Sequence, residues 1–409
     1  MKQKLKFICI CFLSTLLLIN IPVYCNSISN NVSSNSASKE PSINSRAAIV
    51  IERSTHTILF GKNENIEKKM ASTTKIMTSI VVLENANLND TVKISKRSAG
   101  TGGSRLGLKT SDKITVKDLL YGLLLCSGND SAVALAEHVG GSVEGFAELM
   151  NKKASDLRLT HSHFVTPHGL DKDDHYTTAY ELSLMADYAL KNETFKSIVS
   201  TKNYTVTING NPKNIKNTNE LLGNLNGVYG VKTGFTNGAN RCLVTSVKRG
   251  KLDIICVVLG ADTKNFRTQD STKLIEYVFN NYQMINIKEI INKDFANWKE
   301  NNISNFSITK SKTNNIQLSI IESPYEYIPI NNQYIDKIQT EIDCNFVLSA
   351  PVIRNQSIGS LSLKINDELV LKLDILNTIT IEKKTIKSYI SYIFRNYTSI
   401  INFSNLLTL

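Results

Sequence analysis

The sequence predicts an α/β protein: an antiparallel sheet flanked by helices, followed by a small all-β domain and a terminal amphipathic helix. Three observations carry this. Strand-like runs open and close the region 45–285, with helical patterns between them. Two stretches of alternating leucine and isoleucine follow, and the chain ends in apolar residues spaced three and four apart.

The elements fall in order. Ala47-Ala48-Ile49-Val50-Ile51 and Thr57-Ile58-Leu59-Phe60, separated by a polar turn, read as a hairpin. Helical patterns cover 72–86, 116–126 and 130–138, and a loop-rich segment runs from Leu159 to His175. A helix over about 178–191 comes next. Val228–Thr233, Arg241–Lys248 and Leu252–Leu259 read as three strands, and a helix over 271–282 closes the region. The first and last helices are expected on one face of the sheet. In the expected domain 290–382, Leu361, Leu363 and Ile365 alternate with polar residues, as do Leu369, Leu371, Leu373 and Ile375, with Asn366-Asp367 as the turn.

The two ends read differently. Residues 1–25 place three lysines before an apolar run and end at Val23-Tyr24-Cys25, the pattern of a cleavable secretory signal. Its removal takes three lysines and no acid, so the net charge falls from +11 to +8 over the chain of 409 residues. Residues 26–44, rich in Asn and Ser, read as a flexible linker. In the tail, 383–409, Ile386, Tyr389, Ile390, Ile393, Phe394, Tyr397, Ile400 and Ile401 share a helical face, and Lys383, Lys384, Lys387 and Arg395 meet no acid. A basic amphipathic helix of this kind suits a membrane surface; the competing reading packs it on the β-domain.

A basic exported protein suits an anionic envelope, while nucleic acid is disfavoured because no basic, aromatic-interleaved motif occurs. Cys126, Cys242, Cys256 and Cys344 have neither metal-ligand spacing nor a disulfide framework, and no metal or cofactor is expected. A Cys242–Cys256 bridge is conceivable across neighbouring strands, but buried thiols are the preferred reading.

Three short motifs carry chemistry. In Ser72-Thr73-Thr74-Lys75, a lysine three residues on shares a helix face with the serine, and in apolar, cationic surroundings it can be the base that a serine nucleophile needs. Ser127-Gly128-Asn129 projects a serine that can relay a proton and an amide that can bind substrate. Lys232-Thr233-Gly234, ending a strand at a sheet edge, can hold a carboxylate beside an extended peptide, with the small Gly234 letting the peptide lie close. Each alone is common. Their order, S-x-x-K then S-x-N then K-T-G, is not.

With Gly102-Gly103-Ser104, Pro167-His168-Gly169-Leu170-Asp171 and Val231–Thr236 around them, these motifs give a sequence that resembles the penicillin-binding proteins and serine β-lactamases. It looks most like the low-molecular-weight D-alanyl-D-alanine carboxypeptidases of the serine-type peptidase S11 family, over roughly 45–285. The resemblance implies the penicillin-binding-protein/β-lactamase-like transpeptidase fold and removal of the terminal D-alanine from peptidoglycan stem peptides. It also implies acylation by β-lactams. Ser72 would be the nucleophile, Lys75 the acylation base, and Ser127 with Lys232 the route of a proton to the leaving amine. Asn129 would bind the peptide backbone and Thr233 the terminal carboxylate. The N–H groups of Ser72 and Phe235 would form the oxyanion hole, and Arg267 would support the carboxylate. Phe235 stands where some relatives have histidine. Asn240 stands where glycine is frequent, so a local turn difference is expected there. His168 and His175 read as structural.

A class A β-lactamase would need an E-x-x-L-N loop; Glu181-Leu182-Ser183-Leu184-Met185 lacks its asparagine and lies in a helical pattern. A D,D-endopeptidase uses the same residues on cross-linked peptide and stays open. A silent peptidoglycan-binding protein is disfavoured because all three motifs are intact.

Overall fold

The computed structural model describes residues 39–391 with Ile393, Phe394 and Tyr397, so the expected signal segment and most of the linker lie outside the described residues. β1 (Ala47–Glu52) and β2 (Ile58–Lys62) form the opening hairpin. A 3₁₀ turn over Ala71–Thr74 leads into α1 (Lys75–Asn85), so Ser72 sits in a tighter turn than the α-helix expected from residue 72. A small β3 (Thr91–Lys93), α2 (Lys96–Ala99) and β4 (Lys113–Thr115) precede α3 (Val116–Leu124), α4 (Asn129–Gly140) and α5 (Val143–Asp156). After the loop come α6 (Ala179–Leu190), α7 (Glu193–Val199) and the hairpin of β5 (Asn203–Ile208) with β6 (Asn211–Lys216). β7 (Val228–Thr236), β8 (Asn240–Arg249) and β9 (Leu252–Ala261) complete the sheet, and α8 (Lys264–Asn281) follows.

The main sheet is antiparallel, in the order β2-β1-β9-β8-β7, which leaves β7 as an edge. All of β1 is buried, as a strand covered on both faces requires. Ile49, Ile51, Ile255, Val257 and Val244 face a core shared with α1, α3, α4 and α6. Ala48, Val50, Leu243, Ile254 and Val258 face the other way, onto Leu274, Ile275 and Val278 of α8. The first and last helices therefore lie on opposite sides of the sheet, which corrects the expectation of one face. Cys242 and Cys256 point to opposite cores for the same reason, and both are free.

A second core begins where β10 (Tyr282–Asn286) runs into α9 (Ile287–Asn302), whose Ile287, Ile291 and Phe295 are buried. Short strands β11 (Ser307–Thr309), β12 (Leu318–Ile320) and β13 (Tyr327–Asn331) come before β14 (Ile338–Cys344), β15 (Val347–Ser349), β16 (Ser357–Ile365) and β17 (Glu368–Asn377). β16 and β17 pair with Leu361 opposite Leu373 and Leu363 opposite Leu371. Asn366 and Asp367 at φ 52° and 67° make the turn that a tight hairpin demands. Among the described residues no helix is long and apolar enough to cross a membrane.

Candidate active site

The site is assembled where the 3₁₀ turn, the α3–α4 loop, the 159–175 loop and edge strand β7 meet. Lys75 is fully buried at the start of α1, and its Nζ has three neighbours: Ser72 Oγ at 2.8 Å, Asn129 Oδ1 at 2.8 Å and the His168 carbonyl at 2.7 Å. Asn129 Nδ2 donates to the Gly102 carbonyl at 2.7 Å, which fixes its Oδ1 toward the lysine. A neutral amine has two N–H groups and one lone pair. Two carbonyl acceptors use the former, so the lone pair faces Ser72 and can take its proton. Burial, then the nearby Lys232 cation, holds the Lys75 amine well below its usual basicity.

Lys232 is also buried, and its Nζ donates to Ser127 Oγ at 3.1 Å and to the Thr233 carbonyl at 3.0 Å. Burial lowers it to about 7. Ser127, at φ 62°, turns its hydroxyl out of the apolar end of α3. Thr233 Oγ1 is 2.7 Å from Thr218 Oγ1, a partner that carries no sequence motif. The K-T-G triplet lies inside β7, which continues to Thr236, and so does not end the strand as expected. Gly234 is needed for a reason besides substrate access. A Cβ there would meet the Met70 carbonyl at 3.0 Å and Ser72 N at 3.2 Å, so a side chain at this position would push β7 and the nucleophile turn apart by a few tenths of an ångström.

The expected role of Asn129 is to bind the peptide backbone; its amide is engaged first with Lys75 and Gly102. Phe235 is half exposed, with the Arg241 guanidinium 3.5 Å from its ring centroid. Asn240 takes φ 56°, a left-handed conformation open to glycine and tolerated by asparagine, so the exchange is accommodated in the backbone. Arg267, in the first turns of α8, is buried and paired with Glu220.

The histidines hold the frame. His175 Nδ1 accepts from Val165 N at 3.0 Å, so its Nε2–H donates to Thr74 Oγ1 at 2.8 Å, and Thr74 donates on to the Ala71 carbonyl. Burial holds it neutral, down to about 4. His168 contributes its carbonyl, while burial pushes its ring down to about 3. Glu181 caps locally, accepting from His161 N and Ser162 Oγ. Asp130 carries no signal in the sequence beyond its place after the S-G-N triplet. It is buried and accepts from the N–H groups of Leu106, Gly107, Leu108 and Ser131, pinning the loop whose Gly102 carbonyl anchors Asn129. Asp130→Asn turns an N–H₂ toward these donors and is expected to cost about 2–4 kcal/mol, read by denaturant unfolding. An unchanged midpoint would remove Asp130 from the frame.

A buried lysine on a serine hydroxyl, beside an edge strand carrying a second buried lysine, is the equipment of an acyl-transferring serine enzyme. The comparisons agree. Residues 34–263 match the peptidase S11 family, described as D-alanyl-D-alanine carboxypeptidase. The chain is 34 % identical over 331 residues to the D-alanyl-D-alanine carboxypeptidase DacF of Bacillus subtilis, covering 80 % of this chain and 82 % of that one. It is 37 % identical over 258 residues to DacC of Escherichia coli, covering 60 % and 64 %. The crystal structure of the Streptomyces K15 DD-transpeptidase superposes with a TM-score of 0.57 at 36 % identity, over 59 % of this chain and 99 % of that one. DacD of Francisella tularensis, at 24 % identity and a TM-score of 0.69, shares the fold over 88 % of this chain and 100 % of its own. The chain belongs to the peptidase S11 family and is a serine-type D-alanyl-D-alanine carboxypeptidase.

Proposed function

We propose that the protein removes the terminal D-alanine of peptidoglycan stem peptides through an acyl-enzyme on Ser72. The observation that carries this is the buried Lys75 Nζ lying 2.8 Å from Ser72 Oγ, with Asn129 Oδ1 and the His168 carbonyl as its two other neighbours, an arrangement in which a neutral amine turns its lone pair to the serine. The Ser72 proton passes to Lys75 as Oγ bonds the carbonyl carbon of the penultimate D-alanine. The N–H groups of Ser72 and Phe235 receive the developing oxyanion. The C–N bond breaks, and the leaving amine takes a proton from Lys232 through Ser127. The proton that Lys75 took from Ser72 passes to Lys232, which protonating the leaving amine has left neutral. Lys75, the one titratable side chain bonded to Ser72 Oγ among the described residues, is then neutral again and takes a proton from the water that attacks the acyl carbon. Ser72 Oγ leaves with that proton as the shortened peptide is freed. Thr233 and Arg267 bind the departing residue's carboxylate, and Asn129 uses its second amide hydrogen on the peptide backbone.

A β-lactam would acylate the same hydroxyl, its opened ring retaining the nitrogen that a peptide would lose. Penicillin is expected to add its own mass to the protein and to map to the peptide holding Ser72. Absence of the adduct, with no D-alanine released from a peptide ending in Lys-D-Ala-D-Ala, would overturn the reading.

The two lysines set the pH dependence. Lys75 must be neutral, so the rate rises with pH through its lowered pKa. Lys232 must be protonated, so kcat/KM should fall above about pH 7. A bound carboxylate favours the protonated lysine, so the alkaline limb of kcat should lie higher than that of kcat/KM. Coincident limbs would argue against Lys232 as the carboxylate's neighbour.

We also assign the enzyme to the outer face of a bacterial membrane, exported by residues 1–25 and attached by the tail. In support, the side chains of Ile386, Ile393 and Tyr397 are largely exposed. A chain lacking 386–409 is expected to lose sedimentation with anionic vesicles and to keep its D-alanine release.

A further inference from the structure

The carboxylate side of the site holds a residue with no place in the scheme above. Segment 217–220 runs along the site: Thr218 N donates to the Leu125 carbonyl at 3.1 Å, Thr218 Oγ1 meets Thr233 Oγ1, and Asn219 Nδ2 donates to the Gly230 carbonyl at 2.9 Å. Glu220 follows, and its carboxylate is divided between two cations. One oxygen accepts from Arg267 Nη2 and, at 3.3 Å, from Thr268 Oγ1; the other pairs with Lys264 Nζ. The two cations differ. The Arg267 side chain is 4 % exposed, and its Nε is buried without a hydrogen-bond partner; the Lys264 side chain is 62 % exposed. Arg267 also lies near enough to Lys232 to depress it electrostatically.

A buried guanidinium with an unused N–H is an unsaturated carboxylate receptor. We infer that Glu220 is an internal stand-in for the substrate's terminal carboxylate, occupying Arg267 in the free enzyme and yielding it when a D-alanine carboxylate arrives. Two carboxylates on one guanidinium repel, so the substrate must displace the charge already there. Lys264 makes the exchange possible. Glu220 keeps a solvated cation when it lets go of Arg267, and no buried charge is stranded. Glu220 is thus a specificity-determining residue: it weakens binding of carboxylate-ended ligands and leaves neutral-ended ones untouched.

This rests on the carboxypeptidase reading, and the test separates the two. Affinities of an N-acylated Lys-D-Ala-D-Ala peptide and of its C-terminal amide are measured by calorimetry on Ser72→Ala and on Ser72→Ala with Glu220→Gln. The free acid should bind about fivefold tighter to the double variant, the worth of one partly buried charge contact, and the amide should not change. With Ser72 intact, Glu220→Gln and Glu220→Ala should each raise the rate of acylation by penicillin, which bears a carboxylate, by a similar factor. Weaker binding of the acid would overturn the inference and make Glu220 a support for Arg267. So would equal effects on acid and amide, or no effect on either. Failure of both peptides to bind either protein would instead overturn the substrate reading, and the inference with it.

Discussion

Ser72→Ala is expected to lower D-alanine release about 10,000-fold or more and to abolish the penicillin adduct, with the fold unchanged. The size follows from the role. A residue that forms the covalent intermediate leaves no alternative path except binding and oxyanion stabilisation of a direct attack by water. The neutrality of the fold follows from the contacts. Ser72 Oγ packs no core, and its other approach, to the His168 carbonyl, is a marginal 3.5 Å. The loss is one hydrogen bond to the Lys75 lone pair, about 1 kcal/mol. Lys75→Met separates nucleophile from base. It keeps the hydroxyl, fills the buried volume with a neutral side chain, and should slow acylation by about 100- to 10,000-fold. Thermal melting checks the fold, and mass spectrometry after timed exposure to penicillin gives the rate. Acylation of Ser72→Ala at the wild-type rate would move the nucleophile elsewhere.

The sequence and the structure agree where chemistry is written in side chains at short spacing. Ser72 and Lys75 are three residues apart, and their contact survives the replacement of the expected α-turn by a 3₁₀ turn, since both bring i and i+3 together. The β16–β17 hairpin is equally legible, because Asn366-Asp367 supplies the turn and alternation fixes the register. The layering is not. Runs such as Ala47–Ile51 and Ile254–Leu259 say that both faces of a strand are covered, but not which helix covers which, so nothing in them separates α1 from α8. Helices α5 and α9 leave little trace, since their apolar residues are diluted by charged surface positions. At the site, the His168 carbonyl orients Lys75 from a backbone atom, which no side-chain motif reports. Glu220 and Thr218 act through contacts with Arg267 and Thr233, far apart in sequence.

Gly169→Ala tests how the frame sets the chemistry, and its effect should rival that of losing a catalytic group. Gly169 has φ +81°, and a Cβ on it would stand 1.9 Å from the Ala71 carbonyl oxygen, 2.5 Å from the Ala71 carbon and 2.6 Å from Thr74 Oγ1. Two of these atoms are backbone, so no rotamer relieves the contact. Ala71 is itself left-handed at φ 49°, a non-glycine conformation that costs of order 1–3 kcal/mol and persists only while its surroundings enforce it. Pushing it moves the next residue, which is Ser72, and also the loop that presents the His168 carbonyl to Lys75. A displacement of about 1 Å between reacting groups costs about 100-fold in rate. Gly169→Ala should therefore lose roughly 3 kcal/mol or more of stability and acylate about 100-fold more slowly. Gly141→Ala is the control. Its φ of +71° carries the same left-handed penalty, but nothing lies within 4 Å of its Cβ, so it should cost only about 1 kcal/mol and leave acylation alone. The difference between the two variants isolates the contact with Ala71. If both behave alike, that contact does not position the nucleophile, and the close approach of the 159–175 loop to the 3₁₀ turn is packing alone.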